Sequence, residues 1–198
     1  MRCKNVAKDE VFRDRGDGQL MAAWQTGDAT AFEALVRRWE GPIARFLARM
    51  LGRSAPIEDL CQEVFVRVCD AGGRYREKGA FSTWLYRIAL NVARDAGRKR
   101  RRLWLPWNDE LTRVASHAAL LDCERQETAE LVAHAVAELP EHLRLVLVLR
   151  HYEELNFEQI ASLTGTPAST LKSRFAAALA RLRTRLQQLG CDLEETMR

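Results

Sequence analysis

The chain is expected to be all-α, built as two small helical domains joined by a flexible linker, the C-terminal one carrying a helix-turn-helix. Three observations predict this. Apolar residues recur at the 3.6-residue spacing of a buried helical stripe in one segment after another. Strict period-2 alternation is almost absent, and Asn-Gly or Gly-Asn hairpin signals are few. The stripes lose definition once, after Arg102, where "LWLPWNDELTRVASHAALLDCERQETAE" carries Pro106 and an Asn-Asp-Glu cluster. The expected boundaries are a flexible extension at 1–16, a first helical domain at 17–102, a linker at 103–125, a second helical domain at 126–190 and a tail at 191–198.

Each element has its own justification. Phe32, Leu35, Val36, Trp39, Ile43, Phe46, Leu47 and Met50 form a stripe entered from Asp28 or Thr30 as a cap and bent near Gly41-Pro42. Ile57, Leu60, Cys61, Val64, Phe65 and Val68 form a second, begun after Ser54 and Pro56 and stopped by Gly72-Gly73. The third lies in "FSTWLYRIALNVARDAGRKRRR", where Phe81, Trp84, Leu85, Ile88, Ala89, Val92 and Ala93 make an aromatic-backed stripe. Beyond the linker, Leu131, Ala135, Val136 and Leu139 end at Pro140, and Leu143, Val146, Leu147 and Arg150 form the next helix. Two elements close the chain, "NFEQIASLTG" and "TPASTLKSRFAAALARLRTRL".

Composition bounds the function classes. The 198 residues, 47% hydrophobic, can bury a core, and 31 Lys and Arg against 27 Asp and Glu leave only +4, so the distribution of charge matters more than its sum. Five scattered cysteines form no C-x-x-C and have no histidine at ligand spacing, which reads as reduced thiols in a cytosolic protein without zinc. The opening "MRCKNVAKDEVFRDRGDG" lacks the apolar run of a signal peptide. No stretch approaches the ~18 apolar residues of a membrane span, so a cytoplasmic protein is expected.

The last two elements make the helix-turn-helix. Asn156 and Gln159 are spaced as a reciprocal cap, Gly165 supplies a positive-φ turn, and Thr166-Pro167 restarts a helix with proline in its first turn. Ala161 suits the crossing point, and Ile160, Leu171 and Phe175 the core between the helices. Charge is segregated across the turn. Glu153, Glu154 and Glu158 precede it, whereas every charged residue from Ala168 to Leu186 is basic: Lys172, Arg174, Arg181, Arg183 and Arg185. A cationic helix with hydroxyls at Ser169, Thr170 and Ser173 near its start suits a DNA major groove.

Two helices of the first domain carry outer faces that core packing does not explain. After Ile57, the residues Asp59, Gln62, Glu63, Val66 and Asp70 line up opposite the stripe, as expected of a docking face for a protein. Opposite the aromatic back of the third helix stand Arg87, Asn91, Arg94, Asp95 and Arg98, running into Lys99-Arg100-Arg101-Arg102. The preceding loop "GGRYREKGAF" places Tyr75 beside Arg74, Arg76 and Lys78, and cations with an aromatic suit single-stranded nucleic acid.

Taken together the motifs resemble the extracytoplasmic-function (ECF) sigma factors of bacterial RNA polymerase, over nearly the whole chain from Gly18 to Leu189. "GDATAFEALVRRW", "DLCQEVFVRV" and "GAFSTWLYRIALNVARDAGRKRRR" are similar to the family's first conserved domain, region 2, and "LPEHLRLVLVLRHYEELNFEQIASLTGTPASTLKSR" to its second, region 4. The resemblance implies that Asp59, Leu60, Gln62, Glu63 and Val66, with Phe65, dock on the β′ clamp of core polymerase, the β flap being a second contact. It implies recognition and melting of the −10 promoter element by Tyr75, Arg76, Lys78, Thr83, Arg87, Asn91, Arg94 and Arg98. Duplex reading of the −35 element falls to Ser169, Thr170, Lys172, Ser173, Arg174 and Arg181, and the linker would thread toward the polymerase interior. The chain departs from the family at Ala168-Ser169, where Glu-Gly is common, and at Ala176-Ala177-Ala178, where polar contacts are lost.

The expected function is that of a transcription initiation factor, with core RNA polymerase, promoter DNA and an anti-sigma factor as partners and no catalytic residue, cofactor, metal, membrane insertion or small-molecule substrate. An anti-sigma factor would be able to hold it at the membrane. Two other readings compete. One is a stand-alone helix-turn-helix regulator that binds duplex DNA without polymerase. The other is a metal-dependent nuclease using Glu58, Asp59 and Glu63.

Overall fold

The computed structural model describes residues 15–52, 54–76, 80–102 and 123–189. Apart from Arg15, Gly16 and Cys123 onward, the expected extension, linker and tail lie outside the described residues. The fold is all-α, and no strand occurs among the described residues. The chain divides into two compact units. One comprises the chain to Leu47 with Pro56–Arg98, the other Ala48–Ala55 with the chain from Lys99.

The first unit opens with a helix that the stripes do not predict, α1 (Asp17–Gln25), whose Leu20 and Met21 are fully buried. Helix α2 (Ala29–Leu51) follows. Asp28 Oδ1 accepts from Thr30 N at 3.1 Å and from Thr30 Oγ1 at 2.5 Å, fixing Asp28 as its entry. It continues as one helix through Pro42, and its part in the first unit buries Leu35, Ile43, Phe46 and Leu47. Helix α3 (Ile57–Gly72) buries Cys61, Val64 and Val68. Helix α4 (Phe81–Arg102) buries Phe81, Leu85, Ala89, Val92 and Ala93 as expected, and also Tyr86 and Leu90, so its apolar face is wider than the stripe.

Rings hold α4 against its neighbours. Tyr86 meets Phe46 edge-on at 5.3 Å between centroids and Trp39 at 5.9 Å, and Trp39 also meets Phe81 at 6.0 Å. Helix α1 is tied in by polar contacts. Arg38 donates to Asp17 at 2.6 Å, and Gln25 Nε2 donates to the carbonyls of Gly72 at 2.7 Å and Tyr75 at 3.1 Å. The last turn of α3 passes so close to Trp24 that a Cβ on Gly72 would sit 2.0 Å from the indole ring, so only glycine fits there.

The second unit is built on α5 (Cys123–Glu138), α6 (Glu141–Leu147), α7 (Phe157–Thr164) and α8 (Ala168–Gln188). Leu145 through Leu149 are all buried, and over Val148–Tyr152 the chain widens into a π-type turn. The expected cap is formed, with Asn156 Oδ1 accepting from Gln159 N and Gln159 Oε1 from Asn156 N, both at 2.8 Å. Gly165 takes φ +70°, as the turn requires. Pro167 lies one residue earlier than expected, as the cap before Ala168 rather than inside the first turn. Ile160, Leu163, Leu171, Ala178 and Leu186 fill the core, and Phe175 sits half-buried at its edge, 5.9 Å edge-on from Phe157.

Candidate nucleic-acid and protein interfaces

Burial of Cys61, Val64 and Val68 turns the opposite side of α3 outward. Asp59, Gln62, Glu63, Val66 and Asp70 are exposed there, with Leu60 and Phe65 half-buried at the margins. Val66 is 55% exposed amid carboxylates, an arrangement suited to a protein surface rather than to phosphate. No group of three or more His, Cys, Asp and Glu placed to hold a metal occurs among the described residues. The thiols of Cys61 and Cys69 are both pushed up, first by burial and then by Glu40 and Asp70 respectively. Such thiols carry little thiolate.

On α4 the residues Arg87, Asn91 and Arg98 are exposed and Arg94 is half-buried. Their spacing of four, three and four residues sets them on one face, along about 16 Å of axis at 1.5 Å per residue. Arg76 is also exposed, its NH1 donating to the Tyr75 carbonyl at 3.0 Å. Lys78 lies outside the described residues.

Two residues expected at this surface turn inward. Tyr75 is buried, its ring 5.9 Å from Phe81 and 4.9 Å from Trp84, so it is part of the aromatic core and not a platform offered to a base. The Gln25 bond to its carbonyl anchors it there. Thr83 is half-buried with its hydroxyl enclosed. Conversely Trp84, read from the sequence as core, is half-buried beside Tyr75, and is the aromatic that reaches the surface at this end of α4.

The sequence reading missed how α3 and α4 are joined. Arg67 donates to Glu63 at 2.8 Å and to Asp95 at 2.9 Å, and Asp95 also accepts from Arg98. The Arg67 hydrogen bond, followed by that of Arg98, holds the Asp95 carboxyl below the ordinary carboxylate range. The four-residue step from Glu63 and the three-residue step to Arg98 were visible signals, but the α3–α4 contact was not.

Helix α8 presents Ser169, Lys172, Ser173 and Arg181 exposed, with Thr170 and Arg174 half-buried. Ser173 Oγ donates back to the Thr170 carbonyl at 2.9 Å. Arg185 departs from the cationic face: its Nε and NH2 grip Glu138 of α5 at 2.5 and 2.9 Å. Of the three alanines that depart from the family, Ala178 is fully buried and belongs to the core, while Ala176 and Ala177 are exposed.

Comparison with known proteins decides the family. The Sigma-70 region 2 model matches residues 35–103 and the Sigma-70 region 4 model residues 121–182. The RNA polymerase sigma-H factor of Pseudomonas aeruginosa is 34% identical, over 87% of this chain and 95% of its own. The ECF RNA polymerase sigma-E factor of Escherichia coli K12 is 31% identical over 87% and 95%. The chain belongs to the ECF sigma factors. Solved structures agree on the fold of this sigma factor. CnrH, in complex with the cytosolic domain of CnrY, superposes with a TM-score of 0.67 at 26% identity, covering 87% of this chain and 97% of that one. The sigma factor RpoE of Bartonella quintana, in complex with the anti-sigma factor NepR, gives 0.66 at 19% identity over 79% and 96%. This sigma factor is a transcription initiation factor that directs RNA polymerase to promoters. The stand-alone regulator is not favoured, since region 2 contains both outer faces.

Proposed function

We propose that α3 docks this sigma factor on core polymerase, that α4 captures the opened −10 element and that α8 reads the −35 element as duplex. The observation that carries the reading is the division of one compact unit into two unlike faces. Val66, exposed among Asp59, Gln62 and Glu63, faces out from α3, and Arg87, Asn91, Arg94 and Arg98 face out from α4. Acids around an exposed valine repel nucleic acid and suit a cationic protein surface. The α4 face has the reverse character. Its arginines neutralise phosphates and Asn91 can hydrogen-bond a base edge.

The mechanism is binding and strand separation, with no covalent step and no enzymatic turnover. Unstacking a base costs a few kcal/mol, and capture of the released strand on α4 offsets it. Among the described residues no helix is long and apolar enough to cross a membrane, which fits action in the cytoplasm. CnrH is solved with the cytosolic domain of CnrY, and RpoE of Bartonella quintana with the anti-sigma factor NepR, which supports an anti-sigma partner here too, one able to hold the protein at a membrane.

The test is a titration against core RNA polymerase followed by run-off transcription from a genomic fragment library. Saturable binding with new, discrete start sites is expected. Loss of core binding with duplex binding retained would restore the stand-alone regulator. Asp59→Arg should weaken core binding more than tenfold and lower the thermal midpoint by only a few degrees, because a charge reversal in the exposed first turn of α3 costs at most about 1 kcal/mol. Unchanged core affinity would put the docking face elsewhere.

A further inference from the structure

The two outer faces of the first unit are wired together. Arg67 reaches Glu63 Oε1 through Nε at 2.8 Å and Asp95 Oδ2 through NH1 at 2.9 Å, and the other Asp95 oxygen accepts from Arg98 NH2. A chain of alternating charge, Glu63, Arg67, Asp95 and Arg98, thus runs from the exposed acids of α3 to the cationic front of α4. Its members are well solvated, from 37% exposure at Arg67 to 71% at Arg98. Ion pairs so exposed are individually weak and exchange readily. Such a chain carries little of the fold's stability, yet it decides which carboxylate each arginine faces.

Asp95 is the anomalous member. It stands next to Arg94 and three residues before Arg98, on the front assigned to DNA, where a carboxylate both repels phosphate and occupies the arginine that would bind it. The geometry points to Arg67 as a positioning residue that couples docking at Glu63 to DNA capture at Arg98. When a cationic group of polymerase takes Glu63, Arg67 loses one carboxylate and turns its full planar fork onto Asp95. Asp95 is then neutralised from the α3 side, and Arg98 exchanges it for a phosphate oxygen. In the free protein Asp95 competes with DNA for Arg98. This inference rests on the assignment of α3 to polymerase and α4 to the −10 strand.

A double-mutant cycle on Asp95→Asn and Arg98→Ala tests it, with a fluorescent single-stranded oligonucleotide of the −10 sequence mapped by run-off transcription. Binding is measured for the free full-length protein and for the holoenzyme. Asp95→Asn should tighten the free protein's binding about three- to tenfold and the holoenzyme's by less than twofold, since polymerase has already released Arg98. The gain should vanish in the Arg98→Ala background. Arg67→Gln frees Glu63 of its intramolecular partner, so core affinity should be undiminished or raised while oligonucleotide binding by the holoenzyme weakens several-fold, a split that a purely structural role would not produce. An equal effect of Asp95→Asn in free protein and holoenzyme, or the same gain with Arg98 absent, would overturn the coupling while leaving the −10 assignment standing. If Arg98→Ala changes nothing in either form while Asn91→Ala still weakens binding, the coupling alone falls; if Asn91→Ala is silent too, the α4 assignment falls and takes the coupling with it.

Discussion

Lys172 is exposed on α8 with its ammonium 5.9 Å from the centre of the Phe157 ring, a contact weak enough to be exchanged for phosphate. Lys172→Ala should therefore weaken binding to −35 duplex and reduce the log–log salt slope by about 1, the signature of one lost phosphate contact. Binding measured across a salt series checks this, and an unchanged slope would place Lys172 off the backbone. Arg185 belongs to the same run of cations in the sequence, yet Glu138, 47 residues away, holds it. Tyr75 makes the same point. Its basic neighbours suggested an exposed ring, but the long-range Gln25 bond and the Phe81 and Trp84 rings settle it in the core. Residue chemistry was legible along the chain, whereas the direction a side chain takes depends on partners that no local spacing displays.

At the level of elements, what is local was legible. The reciprocal Asn156 and Gln159 cap needs only residues three apart, and the Gly165 turn needs only a residue free to adopt positive φ. Both form as the sequence predicts. Asn156→Ala should cost about 1 kcal/mol of the second unit's stability, because a helix N-terminal donor loses its acceptor. Asn156→Asp should keep most of it, and chemical denaturation of the two variants checks the difference. Helix α1 escaped the stripe pattern because its apolar residues cluster as Leu20 to Trp24, and its place is set by Arg38, Gln25 and the space above Gly72. The π-type turn at Val148–Tyr152 escaped for a related reason. It follows a run buried on every side, where no stripe exists to mark a change of period.

At the scale of the whole molecule, region 2 and region 4 lie on one chain, and the faces proposed for DNA are small: three arginines and Asn91 on α4, and Lys172, Arg174 and Arg181 with three hydroxyls on α8. Two such modest contacts become effective when the second is made at the high local concentration created by the first. That gain survives only while both elements can be engaged at once. Inserting five base pairs between the −35 and −10 elements rotates one about half a turn away from the other, since B-DNA repeats every 10–10.5 base pairs. Run-off transcription from such a template should fall at least tenfold, while holoenzyme binding to the isolated −10 strand stays unchanged. The exposed Ala176 and Ala177 make this measurement informative about α8 in particular. A template that tolerates the insertion would show that these alanines have reduced −35 reading to a minor term, leaving promoter choice to α4. A steep loss would show that Ser169, Thr170, Lys172, Ser173, Arg174 and Arg181 suffice without them.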